Sequence, residues 1–290
     1  MTTNKKCKVC SSLIRVRDAY HAALSRFSFL SETDIKIIIA HFHHIPFSGF
    51  ALHLEDGMSD VDDFFALCEK VNDGYPLQYA LKETEFLGKH FYVDERVLIP
   101  RSETEELVIY MQKLIEKEGI INPILADICT GSGVIGLSLK DRLKKAKVYL
   151  SDISSSALEV ANINKEKLGL DVELLLGNSL EPLIEKGIRV DYLVANPPYV
   201  NHDDEVGVSV RQYEPHLALF SDDKAVYQAI FSQVRAIMRT DTIVMMLEIN
   251  EKDGDLMLAL VSKTLVGQID AKIIRDIHGK DRFILIRYRV

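Results

Sequence analysis

The sequence predicts an α/β protein, a doubly wound and mostly parallel sheet with an antiparallel strand at one edge, preceded by a small helical domain. Three observations point there. From residue 102 onward, helix-period and strand-like segments alternate, as in parallel strands joined by crossover helices. The last two strand-like segments are linked only by His278-Gly-Lys-Asp281, too short for a crossover, so they pair antiparallel. The first eighty or so residues instead place apolar side chains at helical spacing. At 290 residues, 47% hydrophobic and 27% charged, the chain can bury a real core in one large domain or two modest ones.

Residues 1–83 form the helical part. Over 11–27 the apolar or aromatic positions are Leu13, Val16, Tyr20, Ala23, Leu24 and Phe27. Ser31 or Thr33 caps a helix over 35–40, residues 45–49 break the pattern, and 59–71 form a further helix. Residues 84–100 read as a β-hairpin connector, with aromatic and β-branched residues in 86–93 and 96–99 flanking Asp94-Glu95 as the turn. Residues 101–290 form the α/β domain. Its helices are expected over 103–117, 134–143, 155–168 and 224–238. Its strands are expected over 124–128, 147–150 (running to Asp152), 172–176, 190–195, 242–248, 271–277 and 282–290.

Composition excludes several classes. The net charge of −8 lacks the basic footprint that duplex binding draws on, so no direct nucleic-acid partner is expected. Met1-Thr-Thr-Asn-Lys-Lys-Cys7 has no apolar run behind its charges, and no stretch reaches the ~18 apolar residues that read as a membrane span. Cys7, Cys10, Cys68 and Cys129 are too few and scattered for a disulfide framework, which predicts a reducing compartment and a cytoplasmic protein. Cys7 and Cys10 form a lone C-x-x-C with no second pair to complete a four-ligand zinc site, so no metal is expected.

In doubly wound sheets, ligands sit beyond the C-terminal ends of the strands, where strand order reverses. Three sequence features fall on such ends. Asp127-Ile-Cys-Thr-Gly-Ser-Gly133 follows the first strand, with glycines that let the backbone approach a ligand. An acid ahead of the glycines would repel a pyrophosphate but can hold the ammonium of an amino-acid moiety, which favours S-adenosylmethionine over a dinucleotide. Asp152, with Ile153 after it, ends the second strand, where a carboxylate can accept from ribose hydroxyls. Gly177-Asn-Ser-Leu180 follows the third strand, where Asn178 can accept from an adenine amine. Taken singly, a tight turn, a helix cap or a polar loop would look the same.

Asn196-Pro-Pro-Tyr199 at the end of the fourth strand is more specific. Pro197 stops the strand, and residues ahead of proline are held extended. The resulting stiff turn can present the Asn196 carboxamide and the Pro197 carbonyl to one spot, with Pro198 and Tyr199 alongside. A planar NH2 group needs two fixed acceptors, one per N–H, to hold its nitrogen in line with a methyl donor and to stabilise the positive charge that develops there. A sulfonium is a good leaving group, so no strong base is required. This chemistry admits glutamine amides and adenine amines alike.

At these residues the chain resembles the HemK family, the protein-(glutamine-N5) methyltransferases of release factors, over roughly residues 70–290. The landmarks are Gly74-Tyr-Pro-Leu-Gln-Tyr79, Glu85-Phe-Leu-Gly88 with Phe91, Ile99-Pro-Arg-Ser-Glu-Thr-Glu105, the 127–133 turn, Asp152 and Asn196-Pro-Pro-Tyr199. Glu214-Pro215, Leu217-Ala-Leu219, Glu248-Ile249, Asp276, Gly279 and Arg282 complete them.

The resemblance implies a Rossmann-like class I S-adenosylmethionine-dependent methyltransferase domain behind a helical substrate-docking domain. It implies methylation of the glutamine in the Gly-Gly-Gln loop of class 1 peptide chain release factors, with S-adenosylhomocysteine as co-product, modulating translation termination; separately, a monomer is expected. Asn196, Pro197 and Tyr199 are then the catalytic residues; Pro198, Arg101 and Glu103 join them in binding substrate. Asp127, Ile128, Cys129, Thr130, Gly131, Ser132, Gly133, Asp152, Ile153, Asn178, Ser179, Leu180 and Asn196 surround the cofactor.

Some positions depart from the family pattern. Ser102 stands for a proline, Cys129 and Asn250 for glycines, and Asn178 for an acid. The alternative reading is an adenine-N6 nucleic-acid methyltransferase using the same tetrapeptide; it calls for a basic groove and a base-flipping insertion that the acidic, compact chain does not suggest.

Overall fold

The computed structural model describes residues 14–201, 204–221 and 224–290, so Cys7 and Cys10 lie outside the described residues. The chain divides into two compact units, Met1–Leu81 and Lys82–Val290.

The first unit is helical, as its periodicity predicts. A two-residue strand β1 (Ile14–Arg15) pairs with β2 (Gly57–Met58). Between and after them lie α1 (Val16–Arg26), α2 (Glu32–Phe42), a 3-10 turn (Phe47–His53), α3 (Val61–Asn72) and α4 (Leu77–Leu81). Of the two candidate caps for α2, Ser31 is the one used. Its hydroxyl accepts from Asp34 N at 3.1 Å, and the Asp34 carboxylate accepts from Ser31 N at 3.0 Å, which closes a reciprocal capping box. Val16, Ile35, Ile38, Ile39, Phe64 and Cys68 form the dry centre of this unit.

The second unit opens with a hairpin, β3 (Thr84–Phe86) and β4 (Lys89–Phe91). Its turn is Leu87-Gly88, not Asp94-Glu95. Both turn residues take positive φ, 50° and 75°, as a two-residue type I′ hairpin requires. Glu105 braces this turn by accepting from Leu87 N at 2.7 Å. Asp94 instead anchors the loop that follows. Burial alone would raise its carboxyl, yet the guanidinium and backbone N–H of Arg96 hold it below its ordinary value.

The remaining elements are α5 (Ser102–Glu118), β5 (Ile124–Ile128), α6 (Val134–Arg142), β6 (Lys147–Asp152), α7 (Ser155–Leu168), β7 (Glu173–Leu176), α8 (Glu181–Glu185), β8 (Tyr192–Ala195), α9 (Val208–Tyr213), α10 (His216–Leu219), α11 (Ala225–Gln233) with a 3-10 extension (Val234–Ile237), β9 (Thr242–Glu248), α12 (Gly254–Thr264), β10 (Gln268–Arg275) and β11 (Asp281–Arg289). The sheet runs β10-β11-β9-β8-β5-β6-β7; β5 to β9 are mutually parallel and β11 is antiparallel to both its neighbours. This is the α/β Rossmann-like fold that the sequence predicts.

The antiparallel strand sits one place in from the edge. Phe283 to Ile286 of β11 are buried, whereas β10 alternates between partly buried and exposed positions. The strand that is apolar on both faces takes the inner place, and the amphipathic one takes the edge.

Successive residues of the central strands feed two cores. Leu125, Tyr192 and Val194 pack with α5 and α6 on one face; Ala126, Ile128, Leu193 and Ala195 pack with α11 and α12 on the other. Strand order reverses between β5 and β8, where Ile128 pairs with Ala195. The glycine turn and the Asn-Pro-Pro-Tyr turn therefore leave the sheet side by side, at the switch point where such folds bind ligands.

Candidate active site

A cavity of about 1100 Å³, open mouth included, lies over this switch point. Ile128, Cys129, Thr130, Gly131 and Ser132 of the glycine turn form its floor. Asp152 and Ile153 from the end of β6, and Asn178 and Ser179 after β7, form one side; Asn196 and Pro198 form another. The loop after the hairpin contributes Arg96, Val97 and Leu98, and the α10 segment contributes Leu217 and Ala218.

Asp152 is set for a polyhydroxyl ligand. Its Oδ2 accepts from Gly131 N and its Oδ1 from Ser154 N, both at 2.9 Å, so one carboxylate ties the second strand to the glycine turn. Each oxygen keeps a further lone pair. Burial raises its carboxyl, opposed by those backbone hydrogen bonds. Cys129 and Ser179 hold left-handed backbone, φ 59° and 51°. Such conformations cost non-glycine residues about 1–2 kcal/mol each and concentrate where a turn must meet a ligand. The Ser179 hydroxyl is buried with no protein partner.

Three of the expected cofactor residues stand behind the wall rather than in it. Asp127 is fully buried. Its Oδ2 accepts from Thr130 Oγ1 at 2.5 Å and from Gly136 N at 2.9 Å, which fastens the glycine turn to the start of α6. Its Oδ1 is buried with no protein partner, and burial pushes the carboxyl up to about 7 against those hydrogen bonds. Gly133 faces α6 and α7: a Cβ there would meet Leu137 Cδ1 at 2.9 Å and Ala161 Cβ at 3.3 Å. Leu180 is part of the core.

A second cavity of about 820 Å³ lies on the other side of the tetrapeptide, lined by Pro197, Tyr199, Val200, Arg101, Val206 and Val210 among others. Asn196, Leu98 and Ala218 line both cavities. Arg101 reaches this second wall while its Nη2 donates to Glu214 Oε1 at 2.7 Å; buried Glu214 also accepts from Ile99 N at 3.2 Å. The Arg101 charge is thus largely engaged in fastening the loop. Glu103 lies outside both walls. It lies in the first turn of α5, with its carboxyl held below its ordinary value by its own backbone N–H and by Ser102.

Several residues around Asn196 hold it and the tetrapeptide in place. Thr104 Oγ1 accepts from Asn196 Nδ2 at 3.3 Å and donates to Glu248 Oε2 at 2.8 Å. Tyr199 OH donates to Glu248 Oε1 at 3.1 Å, and Tyr227 OH donates to the Glu248 carbonyl at 2.6 Å. Glu248 is 1% exposed, and burial pushes its carboxyl up to about 7. Burial and the Glu248 carboxylate also raise the Tyr199 phenol, which therefore stays protonated and able to donate. Lys224 Nζ donates to the Tyr199 carbonyl at 3.1 Å and pairs with Asp253 at 2.7 Å, which pins the far end of the tetrapeptide. Glu248 belongs to the Glu248-Ile249 landmark, and its position points the same way: it is an acid closing an otherwise apolar strand, next to β8 in the sheet.

Comparison with known proteins shows which family the chain is similar to. Residues 108–212 match the family model described as "Methyltransferase small domain". A release factor glutamine methyltransferase of Staphylococcus aureus is 34% identical over 248 residues, 83% of this chain and 87% of that protein. The chain belongs to the release factor glutamine methyltransferase family. A member from Bacillus anthracis is 31% identical over 91% of this chain and 97% of that protein. One from Streptococcus pneumoniae is 37% identical over 73% of this chain and 74% of that protein. Among the described residues, no single helix is long and apolar enough to cross a membrane.

Proposed function

We propose that this protein transfers the methyl group of S-adenosylmethionine to the side-chain amide nitrogen of the glutamine in the Gly-Gly-Gln loop of class 1 peptide chain release factors. The observation that carries the reading is Asn196 in the shared wall of two cavities. One of these has the donor set of a nucleoside site, and the other has the mixed apolar lining suited to a peptide.

The first cavity fits S-adenosylmethionine on its own chemistry. The spare lone pairs of Asp152 suit ribose hydroxyls, and the unpartnered Ser179 hydroxyl with Asn178 suits the polar edge of adenine. Ile153, Leu217 and Val226 offer apolar surface for its faces. Thr130, Gly131 and Ser132 are placed for the amino-acid end, with Asp127 holding their turn from behind. The bound cofactor supplies an electrophilic methyl group on a sulfonium.

The chain's own residues do the rest. The Asn196 Oδ1 and the Pro197 carbonyl accept from the two N–H bonds of the glutamine amide and hold its nitrogen toward the first cavity. The same acceptors stabilise the positive charge that grows on that nitrogen. Tyr199, held through Glu248 and Lys224, keeps the turn rigid. On this reading the enzyme works in the cytoplasm, where its substrate terminates translation.

The test is mass spectrometry of a purified class 1 release factor incubated with this protein and S-adenosylmethionine. A gain of one methyl group on the loop glutamine is expected. Methylation of DNA or RNA with an unchanged release factor would refute the assignment.

A further inference from the structure

We propose that Thr104 and Glu248 are positioning residues that set the direction of the Asn196 carboxamide, turning its oxygen rather than its NH2 toward the substrate. The proposal rests on the reading of Asn196 as the amide-binding group. It adds what makes that group an acceptor.

A carboxamide has nearly the same shape either way round, so packing alone does not choose between its two orientations. Only one of them serves the reaction, because an NH2 end would face the N–H bonds of the incoming amide. The choice is made by a one-way chain of hydrogen bonds. An ionised carboxylate only accepts, and Glu248 has both oxygens committed, Oε1 to the Tyr199 hydroxyl at 3.1 Å and Oε2 to the Thr104 hydroxyl at 2.8 Å. Thr104 has one proton and gives it to Glu248. Its oxygen can then only accept, and Asn196 meets it with Nδ2 at 3.3 Å. A reversed carboxamide would set two acceptors against each other at a buried site, and buried polar groups left without a partner are costly.

The rest of the surroundings keep this chain in place. Thr104 is 2% exposed and Glu248 1% exposed, so water is kept from relaying the bond. Tyr227 OH holds the Glu248 backbone carbonyl at 2.6 Å. Burial pushes the Glu248 carboxyl up to about 7, against the hydrogen bonds from Thr104 and Tyr199 and the charge of Arg282, so the chain runs one way above that pH, where Glu248 is ionised and the test is made. Thr104 stands on α5, Glu248 ends β9 and Asn196 follows β8. Three separate elements thus converge on the polarity of one amide.

The test uses Thr104→Val, which keeps the shape but can neither accept nor donate, beside Thr104→Ser, which keeps both functions. With the full-length enzyme and a release factor substrate, Thr104→Val should lower kcat/KM about 10- to 100-fold while changing the S-adenosylmethionine Kd less than about twofold. Thr104→Ser should recover most of the loss. A readout independent of turnover is the Asn196 side-chain NH2 resonance of the 15N-labelled enzyme without substrate. One of its two protons should be shifted and exchange-protected in the unsubstituted and Ser proteins, and ordinary in the Val protein. Equal damage from Val and Ser, or an NH2 signal indifferent to Thr104, would overturn the proposal. If the unsubstituted enzyme methylated no release factor while the NH2 signature followed Thr104 as expected, the proposed function would fall and this assignment would stand.

Discussion

Asn196→Ala removes a side-chain acceptor from the shared wall of the two cavities without touching the floor of the first. Loss of one such acceptor from a preorganised charge-stabilising pair is expected to cost about 10²–10³ in turnover. Cofactor binding, followed by calorimetry, should survive, because Asp152 and the glycine turn are untouched. Undiminished methyl transfer would show that the tetrapeptide does not hold the reacting amide. Asp127 makes a different kind of prediction, about pH. Its folded carboxyl is raised by burial from an ordinary 3.8 to about 7, so over that interval the folded state holds a proton that the unfolded chain has released. The associated stability is complete below about pH 4 and is lost as pH rises through 7. Urea titrations of the wild type and of Asp127→Asn, which cannot ionise, should show the wild type losing ground to the variant between about pH 4 and pH 7. A flat or opposite difference would mean that the carboxyl is not buried as the structure shows. Neither residue's surroundings could be read from a motif. Asp127 was legible as an acid before the glycines, but its burial behind the turn depends on α6 folding back over it.

The elements that were legible are those whose pattern is local. The strands Ile124–Ile128 and Thr242–Glu248 and the helix Ser155–Leu168 have the ends that periodicity assigns them. The turn sits away from Asp94-Glu95, which looks like a turn by composition, because Leu87 takes positive φ with Glu105, eighteen residues away, accepting from its N–H. Helix α12 has no signature of its own in the sequence, because residues 256–261 form one unbroken apolar run, in which a helical stripe cannot be told from a buried strand. Helices α9 and α10, of six and four residues, are shorter than any periodicity window. Close packing is equally silent in sequence, and Gly136 is the clearest case. A Cβ there would fall 2.1 Å from Leu150 Cδ2 and 3.0 Å from Asp127 Cβ, so a side chain at 136 would force buried Leu150 and Asp127 to shift beneath α6. Gly136→Ala should therefore destabilise the fold by about 1–3 kcal/mol, the usual toll of overpacking, and weaken cofactor binding by displacing Asp127 and the turn it holds. Thermal unfolding with and without S-adenosylmethionine checks both effects; an unchanged Tm would show that α6 has slack in its seat.

For the molecule as a whole, both candidate cavities belong to one unit. Every residue of both cavity walls falls between Arg96 and Val226, inside the unit Lys82–Val290. The two cores of that unit draw on residues from Phe86 to Tyr288, whereas the core of the first unit is built from Val16 through Cys68. Residues 82–290 alone are thus expected to fold and to bind S-adenosylmethionine with a Kd within about threefold of the intact chain, a difference of under 1 kcal/mol. What should change is recognition of a large substrate. If residues 1–81 dock the release factor, their removal should raise KM for the intact factor by about tenfold or more, equivalent to ~1.4 kcal/mol of lost contact. A short glutamine-containing peptide, too small to use such a surface, should be methylated at nearly the same low efficiency by both forms. The pairing of the two substrates makes the experiment decisive. A parallel loss on peptide and protein would indicate damage to the catalytic unit, and an unchanged KM for the intact factor would remove docking from the role of the helical unit.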